Sequence, residues 1–289
     1  MGALALALLS GLCWGSADFL GGLMTRRVGV LLVMAIGQGA GLVITGLLIA
    51  VVGDPMPERQ YLVYGASGGV AGAIGLAALY QALAIGPMSV VAPTAALSVT
   101  VPVLIGIAQG DRPAPLQAAG MVCAIVGIVL AAREADPTDI EGGEEPPSRR
   151  GWRGPGLPLA LVAALFLGLL VASLDAAGEG SAVWAAFSVR VVSVPLFVGA
   201  ALIWRTHERV PTRRETGTLV AIGAVDNLAN VSFALASRTG MLALVSVLGS
   251  LYPVSTVLLA RGFLHERLSR LQTTGVATAF VGVALIALG

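Results

Sequence analysis

Long apolar runs separated by short polar breaks organise this chain. A membrane-spanning helix needs about 20 mostly apolar residues. Ten runs of suitable length occur, at residues 3–23, 29–52, 62–84, 88–109, 115–132, 157–177, 181–204, 216–237, 241–262 and 270–288. The breaks carry charges and turn formers, among them Arg26-Arg27, Asp54 to Arg59, Gly86-Pro87, Asp111-Arg112-Pro113 and Arg205 to Glu215. The pattern predicts an all-α membrane protein with ten transmembrane helices.

One break is longer than the others. Residues 133–156 hold Glu134, Asp136, Asp139, Glu141, Glu144, Glu145 and four arginines among prolines and glycines. Such a segment reads as a solvated flexible tether. It divides the chain into a first five-helix repeat, 1–132, and a second, 157–289. The halves align. Tyr80 to Met88 (YQALAIGPM) matches Phe233 to Met241 (FALASRTGM) at an offset of 153, which also places Gly15 on Gly168. Asp111 to Gly127 matches Glu266 to Gly282 at an offset of 155, pairing Gln117 with Gln272, Gly120 with Gly275 and Gly127 with Gly282. Five spans is an odd number, so the second copy enters the membrane upside down. The expected fold is therefore two inverted five-helix repeats, as in secondary transporters.

Composition agrees. Hydrophobic residues make up 56% of the chain and charged residues 11%, against about 25% charged in a soluble domain. Mean hydropathy is +0.89. So few charges cannot cover a soluble surface of this size, whereas lipid can. The basic residues are all arginine and form no stripe interleaved with aromatics, so nucleic acid is not an expected partner. Cys13 and Cys123 lie inside apolar runs without metal-ligand spacing, and read as small buried hydrophobes. The first run lacks a basic n-region and continues through Trp14, Asp18 and Phe19, so it reads as a first span rather than a cleaved signal. The location that follows is a multi-pass position in a bacterial cell membrane.

Ionisable residues inside spans cost about 2.5–3.5 kcal/mol each on the insertion scale, so they carry information. Asp18, Arg190 and Asp226 lie deep, and Asp175 nearer a helix end. Asp226, Asn230, Phe233 and Ser237 fall on one face of the eighth span, expected to line a cavity; the alternative is a buried cluster that only ties helices together. Arg190 must pair, with Asp226 the natural partner and Asp18 the second choice. It reads either as an anionic-group binder, as a switched ion pair or as a permanent one. Trp14 and Asp18 share a face of the first span, an arrangement suited to a cationic or amphipathic substrate; the alternative places Asp18 at the membrane edge. Gln38 is the polar group of the second span and Tyr80 ends the third. Ser246, Ser250 and Pro253 share a face of the ninth, and Pro93, Pro102 and Pro253 introduce bends suited to gating. The candidate substrate-binding set is Trp14, Asp18, Gln38, Tyr80, Arg190, Asp226, Asn230 and Ser250. Gly65-Ala66-Ser67-Gly68-Gly69 fits the hydrolase GxSxG pattern, but it lies in an apolar helix rather than on a strand-to-helix turn, so no enzyme is expected. No metal or cofactor motif is present in the sequence.

The chain resembles the ten-span EamA-like permeases of the drug/metabolite transporter superfamily. The resemblance rests on Trp14-Gly15-Ser16-Ala17-Asp18-Phe19, on the Pro253 to Arg267 stretch with its acidic-Arg pair, and on the Gln-x-x-Gly-x-x-x-x-x-x-Gly pattern of the fifth and tenth spans. The second half departs by having Leu167 where Trp14 sits in the first. The resemblance implies secondary transport, often export, of a small organic metabolite through a central cavity. Spans 1–4 and 6–9 are expected to line it, and spans 5 and 10, nearly without polar residues, to be peripheral. Membrane lipid and a small-molecule substrate are the expected partners, and protons the candidate coupling ion. A flippase for lipid-linked substrates and a non-transporting membrane scaffold are the alternatives.

The repeat makes a topological prediction. Reporter tags in the 133–156 linker and at the C-terminus, five spans apart, should lie on opposite sides of the membrane, while the two termini share a side. Linker and C-terminal tags accessible from the same side would remove the inverted repeat.

Overall fold

The computed structural model of the chain describes residues 2–85, 94–131, 156–203, 210–264 and 269–289. The charged tether, 133–156, lies outside them apart from Gly156, as do Pro93, Arg205, His265, Glu266 and Arg267. The helices are α1 (Gly2–Val28), α2 (Val30–Val52), α3 (Arg59–Ile85), α4 (Thr100–Gln109, led in by a 3-10 turn at Leu97–Val99), α5 (Pro115–Ala131), α6 (Gly156–Gly178), α7 (Ala182–Ile203), α8 (Arg213–Ser237), α9 (Leu242–Gly249), α10 (Tyr252–Leu264) and α11 (Arg270–Leu288). Seven of these contain a stretch long and apolar enough to cross a membrane. Three shorter apolar segments, Thr94–Gln109, Pro115–Ala131 and Leu242–Thr256, occupy the fourth, fifth and ninth expected spans.

Local chemistry sets the ends. Gly29 separates α1 from α2 with φ 95°, a conformation in which a Cβ would be strained, so a single residue breaks the helix. Thr212 and Glu215 form a capping box at the start of α8, and Ser269 and Gln272 another at the start of α11. Gln117 repeats half of that device: its Oε1 accepts from Ala114 N at 2.9 Å, where Ala114 stands in the place of Ser269. The Gln of the Gln-x-x-Gly pattern is thus a helix cap.

The ninth span is two helices rather than one. Ser250 N still bonds Ser246 O at 2.9 Å, but Leu251 N turns to Leu248 O, and Pro253 has no N–H to offer Gly249. In the fourth span the 3-10 turn at Leu97–Val99 falls 153 residues before Ser250–Tyr252. The two repeats are therefore irregular at equivalent positions.

Two compact units form, and they cut across the sequence halves. One comprises Gly2–Ala73 with Leu169–Gly240, the other Ile74–Gly168 with Met241–Gly289. In the first, α1 packs along α8, and α2 packs on α7 and α8. The small-residue faces of α3 are both used there. A Cβ on Gly69 would lie 2.5 Å from Val189 O of α7, and one on Gly68 would lie 3.0 Å from Ser173 Cβ of α6. Ser67, the centre of the GxSxG match, bonds its own helix at Tyr64 O, 2.7 Å away.

In the second unit α5 and α11 cross in close backbone contact. A Cβ on Gly120 would come within 2.8 Å of Gly282 O, and one on Gly282 within 2.7 Å of Gly120 O. Further along the same pair, a Cβ on Gly127 would come within 2.7 Å of Gly275 O, and one on Gly275 within 2.4 Å of Ala131 N. These spans have few polar groups, yet their glycines bring them as near as helices can approach. Asp111, after α4, accepts from Ala243 N at 2.8 Å and so caps the start of α9.

Candidate functional site

The densest polar cluster among the described residues lies in the first unit and begins with a helix crossing. α2 and α8 approach at Gly37 and Gly223, where a Cβ on Gly223 would overlap the Gly37 carbonyl. One turn further, Gly41 faces Asn227, whose Nδ2 donates to Gly41 O at 2.5 Å. A Cβ at Gly41 would stand 3.1 Å from both Arg190 Nε and Asn227 Nδ2. Gly41 therefore leaves the room that the guanidinium of Arg190, from α7, occupies.

Arg190 is 4% exposed. Its Nη2 pairs with Asp226 Oδ2 on α8, and its Nη1 donates to Gln38 Oε1 on α2. Gln38 Oε1 also accepts from Ser193 Oγ at 3.0 Å, one turn after Arg190. Asn230 Nδ2 donates to Asp226 O at 2.7 Å and to its Oδ2 at 3.3 Å. Three helices thus place one cation, one carboxylate and two amides in mutual contact. A lone guanidinium in hydrocarbon is costly, and this arrangement supplies it with a counter-charge and directional acceptors. Arg190 Nε and Asn227 Oδ1 are buried without a partner among the described residues.

Above this network stand the groups of α1. The Trp14 ring lies 5.6 Å from that of Phe233 on α8, tilted by 35°. Phe233 is fully buried and Trp14 partly so. Asp18, one turn beyond Trp14 on the helix that packs along α8, is exposed. The Asp226 side chain is 27% exposed.

Of the eight candidates read from the sequence, Arg190, Asp226, Gln38 and Asn230 bond one another, and Trp14 and Asp18 lie on the helix packed along α8. Ser250 belongs to the second unit, buried at the break of the ninth span. Tyr80 is in α3, but its side chain lies outside the described residues. Sequence reasoning passed over Gly41, Ser193 and Asn227. The Gly37/Gly41 spacing, a small-xxx-small pair beside Gln38, was the available signal. Asp175 sits half-buried in the last turn of α6, away from mid-span. Cys13 is buried and Cys123 partly so, and each carries a free thiol. Among the described residues no group of His, Cys, Asp and Glu could hold a metal ion.

Gly41→Ala should force the guanidinium and the Asn227 amide to move, lowering stability in detergent by about 1–3 kcal/mol, as overpacking does. Gly39→Ala is the control, since its Cβ would meet nothing within 4 Å. Thermal unfolding in one detergent compares the two. Equal stability of the two variants would mean that Gly41 is not there for Arg190.

Known proteins place the chain. A solved crystal structure, 19% identical in sequence, superposes with a TM-score of 0.78 over 99% of this chain and 96% of the other. At that identity the likeness shows a shared fold. No curated protein matches the sequence. The profile of the EamA-like transporter family matches residues 1–133 and 154–288, the two stretches on either side of the charged tether. With nearly the whole length matched, a helical membrane architecture and a buried charged network within it, the chain belongs to the EamA-like transporter family, membrane transporters of small molecules.

Proposed function

We propose that this protein is a secondary transporter that exports a small organic metabolite across the cell membrane by alternating access, with two inverted repeats, residues 1–132 and 157–289, supplying the moving parts. One observation supports this most. Arg190, Asp226, Gln38 and Asn230 form a charged network inside spans, beside the exposed carboxylate of Asp18. A scaffold needs no charges there, and each costs about 2.5–3.5 kcal/mol to insert. A transporter needs groups whose pairing differs between states.

The break of the ninth span, with a 3-10 turn at the equivalent position of the fourth, supports the same reading, because irregular helices absorb the backbone changes of alternating access. Protons are the proposed coupling ion, with the carboxylates of Asp18 and Asp226 as the groups that would take them up. Within the first unit the groups proposed for binding are Trp14, Asp18 and Asp226, with Gln38, Arg190 and Asn230 behind them. A flippase would need an apolar groove open to lipid in place of this polar cluster.

The test is metabolite profiling of cells with and without the protein, inside and outside. At least one small solute should accumulate inside the deletion strain and fall outside it, and an outwardly directed flux of that solute in proteoliposomes should rise with an imposed pH gradient. Identical profiles in both strains, with no solute moved by proteoliposomes, would sink the transport reading.

A further inference from the structure

The groups that a ligand could reach differ in charge from the groups that lie behind them. Arg190 is the only cation in the cluster among the described residues, and it is nearly sealed: 4% exposed, with Nη1 and Nη2 both engaged and Nε buried. An incoming anion would have to displace Asp226 to touch it. The accessible groups are Asp18, part of Asp226 and part of the Trp14 indole. Asp226 spends one oxygen, Oδ2, on both Arg190 and Asn230, so Oδ1 has no hydrogen bond among the described residues. Asp18 has no hydrogen-bond or ion-pair partner among the described residues.

Position along the helix sets Asp18 away from both ends of its span. The first span runs from Gly2 to Met24 within a helix that ends at Val28. At about 1.5 Å rise per residue, Asp18 lies roughly 5–8 Å from the middle of the span, well inside a hydrocarbon layer about 30 Å thick. An ionised carboxylate at that depth needs a counter-charge, and Arg190 is already matched by Asp226. With one guanidinium against two carboxylates, the cluster carries one unmatched negative charge when both carboxylates are ionised. Beside it stands an indole face, one helical turn along α1 and backed by the buried Phe233 ring at 5.6 Å. A carboxylate next to an aromatic face is the surface that an alkylammonium with an apolar body recognises.

We propose that this face binds organic cations, with the ammonium group at Asp18 and the apolar body against Trp14, and that Arg190 never touches the substrate but braces Asp226. The assignment deepens the transporter reading and rests on it only for what happens after binding.

Binding to the purified full-length protein in nanodiscs tests it. The probes are benzyltrimethylammonium, its uncharged carbon isostere neopentylbenzene, and phenylacetate. The ammonium should bind at least about tenfold more tightly than either of the others, since charge recognition is what separates it from its isostere. Asp18→Asn should weaken the ammonium tenfold or more, and Asp18→Glu should keep most of the affinity. Trp14→Phe should retain part of what Trp14→Leu loses. Thermal unfolding checks that each variant is folded, and Asp18→Asn, which removes charge from a membrane interior at constant shape, should be no less stable than the parent.

Absence of ammonium binding, a preference for phenylacetate, or ammonium affinity indifferent to Asp18→Asn overturns the proposal. Proteoliposome flux separates it from the transport reading. Flux of an anionic or neutral solute without ammonium binding defeats the cation site and leaves transport standing. Asp18-dependent ammonium binding with no flux of any solute does the reverse.

Discussion

A guanidinium within a membrane span must be matched, because neither lipid nor helix backbone supplies a counter-charge. Arg190 imposes that condition on everything near it. Asp226 has to lie on the neighbouring helix at the same depth, Gln38 has to turn its carbonyl oxygen toward Nη1, and Ser193 then holds Gln38 from the other side. None of these contacts is strong by itself in water. In a medium with little dielectric screening they fix the mutual register of α2, α7 and α8.

Glycine makes that register reachable. α2 and α8 meet at Gly37 and Gly223, so the next turn brings Gly41 within hydrogen-bonding distance of Asn227 and leaves space for the arginine. The same device closes α5 on α11, where Gly120, Gly127, Gly275 and Gly282 interleave. Hydrophobic burial cannot distinguish one helix from another inside lipid, so close packing and hydrogen bonds must. The small residues of this chain are as informative as its charged ones.

The spans were legible in the sequence because length and apolar content alone decide what crosses a membrane; the boundaries of α2 and α7, for example, fall within a residue or so of the apolar runs. The Arg190–Asp226 contact was legible too, since both charges sit mid-span on adjacent helices. The break at Ser250–Leu251 was only half visible: Pro253 signals a lost bond, but whether a span bends or divides depends on its packing. Gly41 and Asn227 were not legible as site residues, because a glycine and an asparagine in an apolar run fit many packing roles until their neighbours are known. Spans 5 and 10 read as peripheral for want of polar groups, although their glycines were pairing partners in the repeat; their tight crossing depends on backbone approach, which hydropathy does not register. The compact units, which mix the two halves, follow from which faces meet and not from order along the chain.

The most direct measurement is a double-mutant cycle on the buried pair, read as unfolding free energy in one detergent. Removing one partner of a buried ion pair costs about 3–5 kcal/mol, because the survivor stays uncompensated. Arg190→Ala and Asp226→Ala should each lose stability on that scale, and the double variant should lose clearly less than the sum, recovering above the worse single variant. A double variant no more stable than the worse single one would contradict the account, since the two charges would then not depend on each other.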